Sequence, residues 1–337
     1  MKFKRLLSII SCAALALGTA GCGGSGSSAV SGSGDKLNIV CTVFPVYDWV
    51  RELTKDSKKD IEITYLLAKG ADMHSFQPTA DDIMKISTCD MFVYVGGESD
   101  KWAEDALKES VNKDMKVIDL MSSLGEDAKE EVVKEGMQGE EEHDHEDEEH
   151  EGHDHSEAPE YDEHIWLSVR NAEKLCGVIC DDLCSIDKDN AESYKSALAG
   201  YKTELEKLDA DFKALADKTS EKTLIFGDRF PFRYFVEDYG FDYYAAFVGC
   251  SAETEASFET IAFLAGKADD LSAKTVYILE NSDGKIAKAI IDSTKSKSAK
   301  TAVLNSIQSV SREQLDSGES YLSLMKKNYE TLSSTLS

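Results

Sequence analysis

Histidine is scarce in this chain and unevenly placed. There are seven in 337 residues, and five of them fall within Glu140–Glu157, EEEHDHEDEEHEGHDHSE. Neutral imidazole is a ready ligand for zinc, copper and nickel, and carboxylates can complete a loose shell. His143, His145, His150, His153 and His155 are therefore expected to offer several weak, exchangeable metal contacts. Nothing in the segment can form a core, so it reads as a disordered loop. Because nothing in it fixes a geometry, the loop suits concentrating or sensing metal rather than holding it tightly. A solvated charge run is the plainer reading, but charge alone does not call for His-Asp-His twice.

The two remaining histidines stand apart. His74 lies in GADMHSFQP and His164 in DEHIWL, directly after the acidic loop. An isolated histidine is more often structural than a ligand. These two are flanked by loop residues rather than by apolar periodicity, in a chain otherwise depleted of histidine, and we read both as ligands. In open parallel sheets ligands bind beyond the carboxyl ends of the strands, and both positions can reach such a rim.

The surrounding sequence alternates strands and helices. Short runs rich in Val, Ile and Tyr predict strands at Leu37–Val43, Ile61–Leu67, Met91–Val95 and Lys116–Leu120, with helices at Tyr47–Thr54, Thr79–Ser87 and Lys101–Ser110. The second half repeats the scheme. Strands are expected at Thr223–Phe226, Tyr243–Phe247, Thr275–Leu279 and Thr301–Leu304, and helices at Phe232–Tyr239, Ser257–Lys267, Gly284–Lys295 and Ser320–Thr335. Such βαβ series imply an α/β fold of two lobes, each with a mainly parallel four-stranded sheet covered by helices. Between them, Asn190–Asp217 has no proline and an apolar residue every three or four positions. It predicts one stiff amphipathic helix, about 42 Å long at 1.5 Å per residue, that joins the lobes and limits their closure. The expected organisation is an N-terminal lobe at 37–189 with a disordered loop at 126–160, the joining helix at 190–217, and a C-terminal lobe at 218–337.

The first 22 residues read as a targeting segment. Lys2, Lys4 and Arg5 precede the apolar run Leu6–Leu17, which is too short to span a bilayer. The sequence then reaches Gly18-Thr19-Ala20-Gly21-Cys22, which resembles the lipobox of bacterial lipoproteins and implies acylation of Cys22. Residues 23–36 contain a Gly/Ser linker suited to a tethered domain. Export and lipid anchoring to the outer face of the bacterial cell membrane are expected. Between Glu126 and Glu163 there are 19 acids against Lys129 and Lys134, so that segment carries −17 of the formal −27. No basic patch for phosphates is apparent, which argues against nucleic-acid binding. Cys41, Cys89, Cys176, Cys180, Cys184 and Cys250 lack a zinc-ribbon spacing. Cys176, Cys180 and Cys184 recur every four residues and are read as small buried residues on one helix face rather than as a thiolate site.

The motifs G-x-D-x-H-x-[FY]-x-P at His74 and D-x-H-I-W-L at His164 resemble those of the substrate-binding lipoproteins of zinc and manganese ABC importers, whose members often carry a His-rich acidic loop. The resemblance covers residues 37–336 and includes Phe232-Arg233-Tyr234-Phe235 and Ser320–Met325. It implies two α/β lobes on a rigid helix, with metal held between two first-lobe histidines and two second-lobe residues, and an importer permease with its ATPase as partner. The second lobe departs from the pattern. Arg229 stands where the family has His or Glu, and Asn305 where it has a carboxylate. Asp228 or Glu280 is expected to complete the shell, with an Asp228–Arg229 pair serving lobe packing as the competing reading. Two imidazoles favour Zn2+ over Mn2+. A monomer is expected. The alternative is a surface zinc buffer or adhesin-like protein without a transport role. An enzyme is disfavoured, because no H-E-x-x-H and no phosphate-binding loop after a strand is present.

Overall fold

The computed structural model describes residues 36–68, 70–138, 160–251 and 255–336. The five loop histidines, Cys22 and the Gly/Ser linker lie outside the described residues.

Each half of the chain builds one all-parallel sheet. In the first lobe β1 (Lys36–Cys41), β2 (Asp60–Tyr65), β3 (Met91–Tyr94) and β4 (Lys116–Asp119) are ordered β2-β1-β3-β4. In the second, β5 (Thr223–Phe230), β6 (Asp242–Val248), β7 (Thr275–Ile278) and β8 (Lys300–Val303) repeat that order as β6-β5-β7-β8. The helices of the first lobe are α1 (Phe44–Thr54), α2 (Ala80–Thr88), α3 (Trp102–Lys108), α4 (Leu120–Leu124) and α5 (Val169–Ile186). The joining helix α6 (Ala191–Lys218) has 28 residues. The second lobe adds α7 (Arg233–Tyr239), α8 (Phe258–Asp270), α9 (Lys285–Ser293), α10 (Arg312–Asp316) and α11 (Tyr321–Thr335).

The expected two-lobe α/β architecture is therefore present, with informative differences. Helix α1 begins at Phe44, before Pro45 rather than after it. Proline in the first turn costs the helix nothing, since its missing N–H has no intrahelical partner there. Strand β5 continues four residues beyond the apolar run, to Phe230. Three steps of β5 (Phe226 to Arg229) face two of β6 (Ala245 to Phe247), a bulge at Gly227-Asp228. Bulges of this kind re-aim side chains beside a site.

The lobes are fused rather than hinged. Residues 35–337 form one compact unit. One apolar core runs through both lobes and includes Trp49, Trp166, Tyr201, Phe212, Tyr234 and Tyr321. Helix α6 supplies its middle layer by burying Tyr194, Tyr201, Leu205, Leu208 and Phe212 on one face. Residues 126–138, placed by sequence in the disordered loop, carry defined pairings. Glu130 bridges Tyr161, and Gln138 bridges Phe247 at the edge of β6. The first part of the acidic segment is thus tied to the second lobe.

Candidate metal centre

The carboxyl ends of both sheets face a common seam, and His74 and His164 meet there. Asp72 caps a single 3₁₀ turn at Met73–Ser75, accepting the His74 N–H at 3.0 Å, which fixes the backbone that carries the first imidazole. His164 precedes a second 3₁₀ turn, Ile165–Leu167, and its N–H donates to Asp162 Oδ1 at 2.8 Å. His164 is 1% exposed. The two Nε2 atoms stand 3.2 Å apart.

The far nitrogen of each ring has a hydrogen-bond partner, an acid for His164 and a hydroxyl with an acid nearby for His74. His164 Nδ1 lies 3.1 Å from Asp162 Oδ1. His74 Nδ1 shares a 2.8 Å hydrogen bond with Ser99 Oγ and lies 3.5 Å from Glu163 Oε2. Burial alone would raise the Glu163 carboxyl. The hydrogen bonds from His74 and Ser99 outweigh it and hold the group below its ordinary range. Carboxylates that accept from Nδ1–H fix the tautomer with Nε2 unprotonated and raise its basicity. At this distance one Nε2–H can donate to the other nitrogen, and a cation bound between two unprotonated Nε2 atoms would take that proton's place. Two nitrogens on a tetrahedral zinc at ~2.05 Å would sit about 3.4 Å apart, near the observed spacing.

Two glycines make the close packing possible. Gly97 has φ +81°, and a Cβ there would fall 2.4 Å from Glu163 Oε1. A Cβ on Gly249 would fall 2.9 Å from Phe230 O and 3.3 Å from both Asp162 Oδ2 and His164 Cε1. The loop after β6 can therefore lie against the His164 ring only as glycine.

The second-lobe candidates are committed elsewhere. Asp228 Oδ1 accepts the Arg229 N–H at 2.9 Å, and Oδ2 accepts the Leu279 N–H at 3.3 Å. Glu280 accepts from Ser306 N–H at 2.8 Å and Ser306 Oγ at 2.7 Å. Burial pushes its carboxyl up. Neither belongs to the ligand atoms gathered at the histidine pair. Asp228 and His74 do share a cleft of ≈ 460 Å³ with Asp72, Arg229 and Asn281. Arg229 neither pairs with the Asp228 carboxylate as a salt bridge nor approaches a metal ligand's role. Its guanidinium donates across the seam to Asp72 Oδ2 at 2.6 Å and within its own lobe to Ser251 O at 3.1 Å. Burial opposes Asp72 ionisation, but the Arg229 hydrogen bond and charge prevail and keep that carboxyl below its usual range.

Sequence reasoning passed over Cys250. Among the described residues the one cluster of three ligand side chains is His74, His164 and Cys250, with ligand atoms within 4.8 Å of one another. Burial is the main cause that pushes the Cys250 thiol far up in the metal-free protein, reinforced by the charges of Asp162, Glu131 and Glu163.

Two parallel-sheet lobes fused along one helix, with a close imidazole pair at their seam, define a helix-linked two-lobe α/β class of fold. Residues 39–335 match the ZnuA family, zinc-uptake complex component A, periplasmic, and the chain belongs to that family. It is 32% identical over 336 residues to the high-affinity zinc uptake system protein ZnuA of Bacillus subtilis (strain 168), covering 99% of this chain and 98% of that one. It is 29% identical over 300 residues to the zinc-binding lipoprotein AdcA of Streptococcus pneumoniae, covering 89% of this chain and 56% of that one. The chain spans just over half the length of the AdcA relatives it matches, 55% for those of Streptococcus pyogenes. The Zn(II)-bound ZnuA-like domain of Streptococcus pneumoniae AdcA superposes with a TM-score of 0.68 at 26% identity, covering 89% of this chain and 99% of that one.

Proposed function

We propose that this protein captures zinc outside the cytoplasm through His74 and His164 and delivers it to an ABC-type importer. The observation that carries the reading is the Nε2 pair 3.2 Å apart, each ring anchored through Nδ1 by a buried acid or hydroxyl. That is the arrangement of a preorganised cation site, in which the protein has already met the cost of aligning its ligands. Imidazole ligation suits zinc over manganese, in keeping with the zinc-binding relatives. Among the described residues no helix is long and apolar enough to cross a membrane. The lipobox-like Gly18–Cys22 supports attachment to the membrane through a lipid on Cys22. The loop histidines 143, 145, 150, 153 and 155 serve as auxiliary, weaker contacts, and the protein acts as a monomer. Of the two carboxylate candidates, Asp228 lines the cleft that His74 also lines, while Glu280 is held by Ser306.

Zinc titration calorimetry on the full chain, beside a variant lacking residues 140–157 and a His74→Ala variant, tests this reading. One tight site should survive the loop deletion and vanish with His74→Ala. Loss of all binding with the loop would leave a surface buffer as the better account.

A further inference from the structure

The family's second-lobe imidazole position is taken by Arg229, yet the first-lobe pair is intact and oriented. Something else from the second lobe must close the shell, and one side chain is in place. We infer that Cys250 is the second lobe's ligand to the captured zinc, giving a His74–His164–Cys250 set. This inference rests on the capture reading above and goes beyond it by replacing the expected carboxylates with a thiolate.

Three features of the structure hold Cys250 over the histidine pair. The glycine before it lets the loop touch the His164 ring, where a Cβ would come within 3.3 Å. The Cys250 N–H donates to Glu131 Oε1 at 3.0 Å, an anchor from the ordered start of the acidic segment. The carbonyl of the next residue, Ser251, accepts from Arg229 Nη1 at 3.1 Å. Arg229 is thus a strut for the cysteine loop, with its second amino group fixed on Asp72. A tetrahedral zinc with Zn–S of about 2.3 Å and Zn–N of ~2.05 Å places sulfur roughly 3.6 Å from each nitrogen. The ligand atoms already lie within 4.8 Å, so side-chain rotation on the order of an ångström closes the set. Zinc forms its bond to the thiolate, so binding expels the thiol proton to solvent. The thiolate supplies the one negative ligand that the departures at Arg229 and Asn305 remove. Three protein ligands leave one position for water. The other cysteines among the described residues do not join the cluster, and Cys41, Cys89, Cys176 and Cys180 are buried in the lobes.

X-ray absorption at the zinc edge decides the matter on the full chain loaded with one equivalent of zinc or less, beside Cys250→Ser and His74→Ala. One sulfur scatterer at about 2.3 Å is expected with imidazole nitrogens at ~2.0–2.1 Å. Cys250→Ser should lose the sulfur shell and weaken binding at least tenfold while remaining folded. A shell of nitrogen and oxygen alone, with binding still dependent on His74, would overturn the cysteine assignment and leave zinc capture standing. A sulfur shell that persists in Cys250→Ser would also overturn it. Zinc binding indifferent to His74→Ala would remove both the ligand set and the capture reading. Cobalt loading gives an independent readout, because a thiolate ligand adds an intense near-ultraviolet charge-transfer band that Cys250→Ser abolishes.

Discussion

Replacing Asp162 by asparagine separates the charge behind His164 from its geometry. Asp162 Oδ1 accepts both His164 Nδ1–H, at 3.1 Å, and the His164 backbone N–H, at 2.8 Å. An asparagine oxygen can accept both bonds, so the ring keeps its tautomer and direction while one negative charge disappears. The acid lies about 7 Å from an ion on Nε2, where Coulomb's law at an effective dielectric of 20 gives ~5 kcal/mol for a dication. That is an upper bound, because the ligands spread the ion's charge. Losses behind metal-bound histidines usually run 10–100-fold, which is about 1.4–2.7 kcal/mol. We expect Asp162→Asn to weaken zinc by that range in competition with a chromophoric chelator. The metal-free protein should respond differently. Asp162 crowds Glu131 and Cys250, raising both, so neutralising it should leave denaturant stability unchanged or slightly higher. Zinc affinity within twofold of the parent would refute the orienting role of Asp162. Equal losses in affinity and in metal-free stability would mean that the residue serves the fold alone.

Other perturbations test the frame around the site. Gly97→Ala forces a side chain into φ +81° and against Glu163 Oε1; it should cost about 1–3 kcal/mol in urea unfolding and weaken zinc through His74, and a neutral result would show that this turn relaxes freely. Phe212 is buried on α6 against Phe235, Tyr239 and Tyr329, so Phe212→Ala should lower stability by about 3–5 kcal/mol with a single cooperative transition in both near- and far-ultraviolet circular dichroism; two separated transitions would show that the lobes fold independently. Asp48 is fully buried, accepts the Tyr321 N–H at 2.7 Å, and is pushed up to about 6 by burial despite Arg51. A raised folded-state pKa favours the folded protein fully below the unfolded value and loses that contribution as pH climbs through 6. The loss is roughly 3 kcal/mol. The stability advantage of the parent over Asp48→Asn should therefore shrink by that amount between pH 4 and pH 7, and a constant difference would show that Asp48 titrates normally.

The sheets and the joining helix were legible because their signals are collective. Eight short apolar runs and a 28-residue amphipathic period each repeat a local rule many times, and no single residue decides them. His74 and His164, whose rings the fold brings together, stood out for a different reason, their rarity outside the acidic loop. The C-terminal part of β5 was not legible, because Gly227-Asp228-Arg229 reads as a polar break while the sheet absorbs it as a bulge. The carboxylate candidates were chosen for lying near strand ends, where backbone N–H groups also compete for acceptors. Leu279 and Ser306 take Asp228 and Glu280 in that way. Cys250 was passed over because a single cysteine in a loop has no spacing partner to mark it as a candidate ligand. Its one local sign, a Gly-Cys step one residue beyond the predicted strand Tyr243–Phe247, becomes meaningful only when that strand end faces His164.

The hydrogen bonds around His164 also bear on how metal leaves. Asp162 O accepts from Tyr234 Oη at 2.9 Å, Trp166 Nε1 donates to Ser306 O at 2.8 Å, and Trp166 O accepts from Tyr321 Oη at 2.7 Å. Groups of the second lobe therefore clamp the chain on both sides of His164. Parting the lobes would expose or orphan all three buried bonds at about 1–3 kcal/mol each, besides opening the shared core that includes Trp49, Phe212 and Tyr321. An opening cost of even ~3 kcal/mol keeps an open state below about one molecule in a hundred. Rotation of the lobes is thus a poor route for exchange. The Asp72–Ser75 turn and the start of the loop after β6 are the smaller pieces of the site's wall, and Arg229 joins them by one hydrogen bond to each. Drawing the Arg229 guanidinium away would remove one hydrogen bond from each wall of the site without moving either sheet, while Gln308 Nε2 would still hold Asp72 Oδ2 at 3.1 Å.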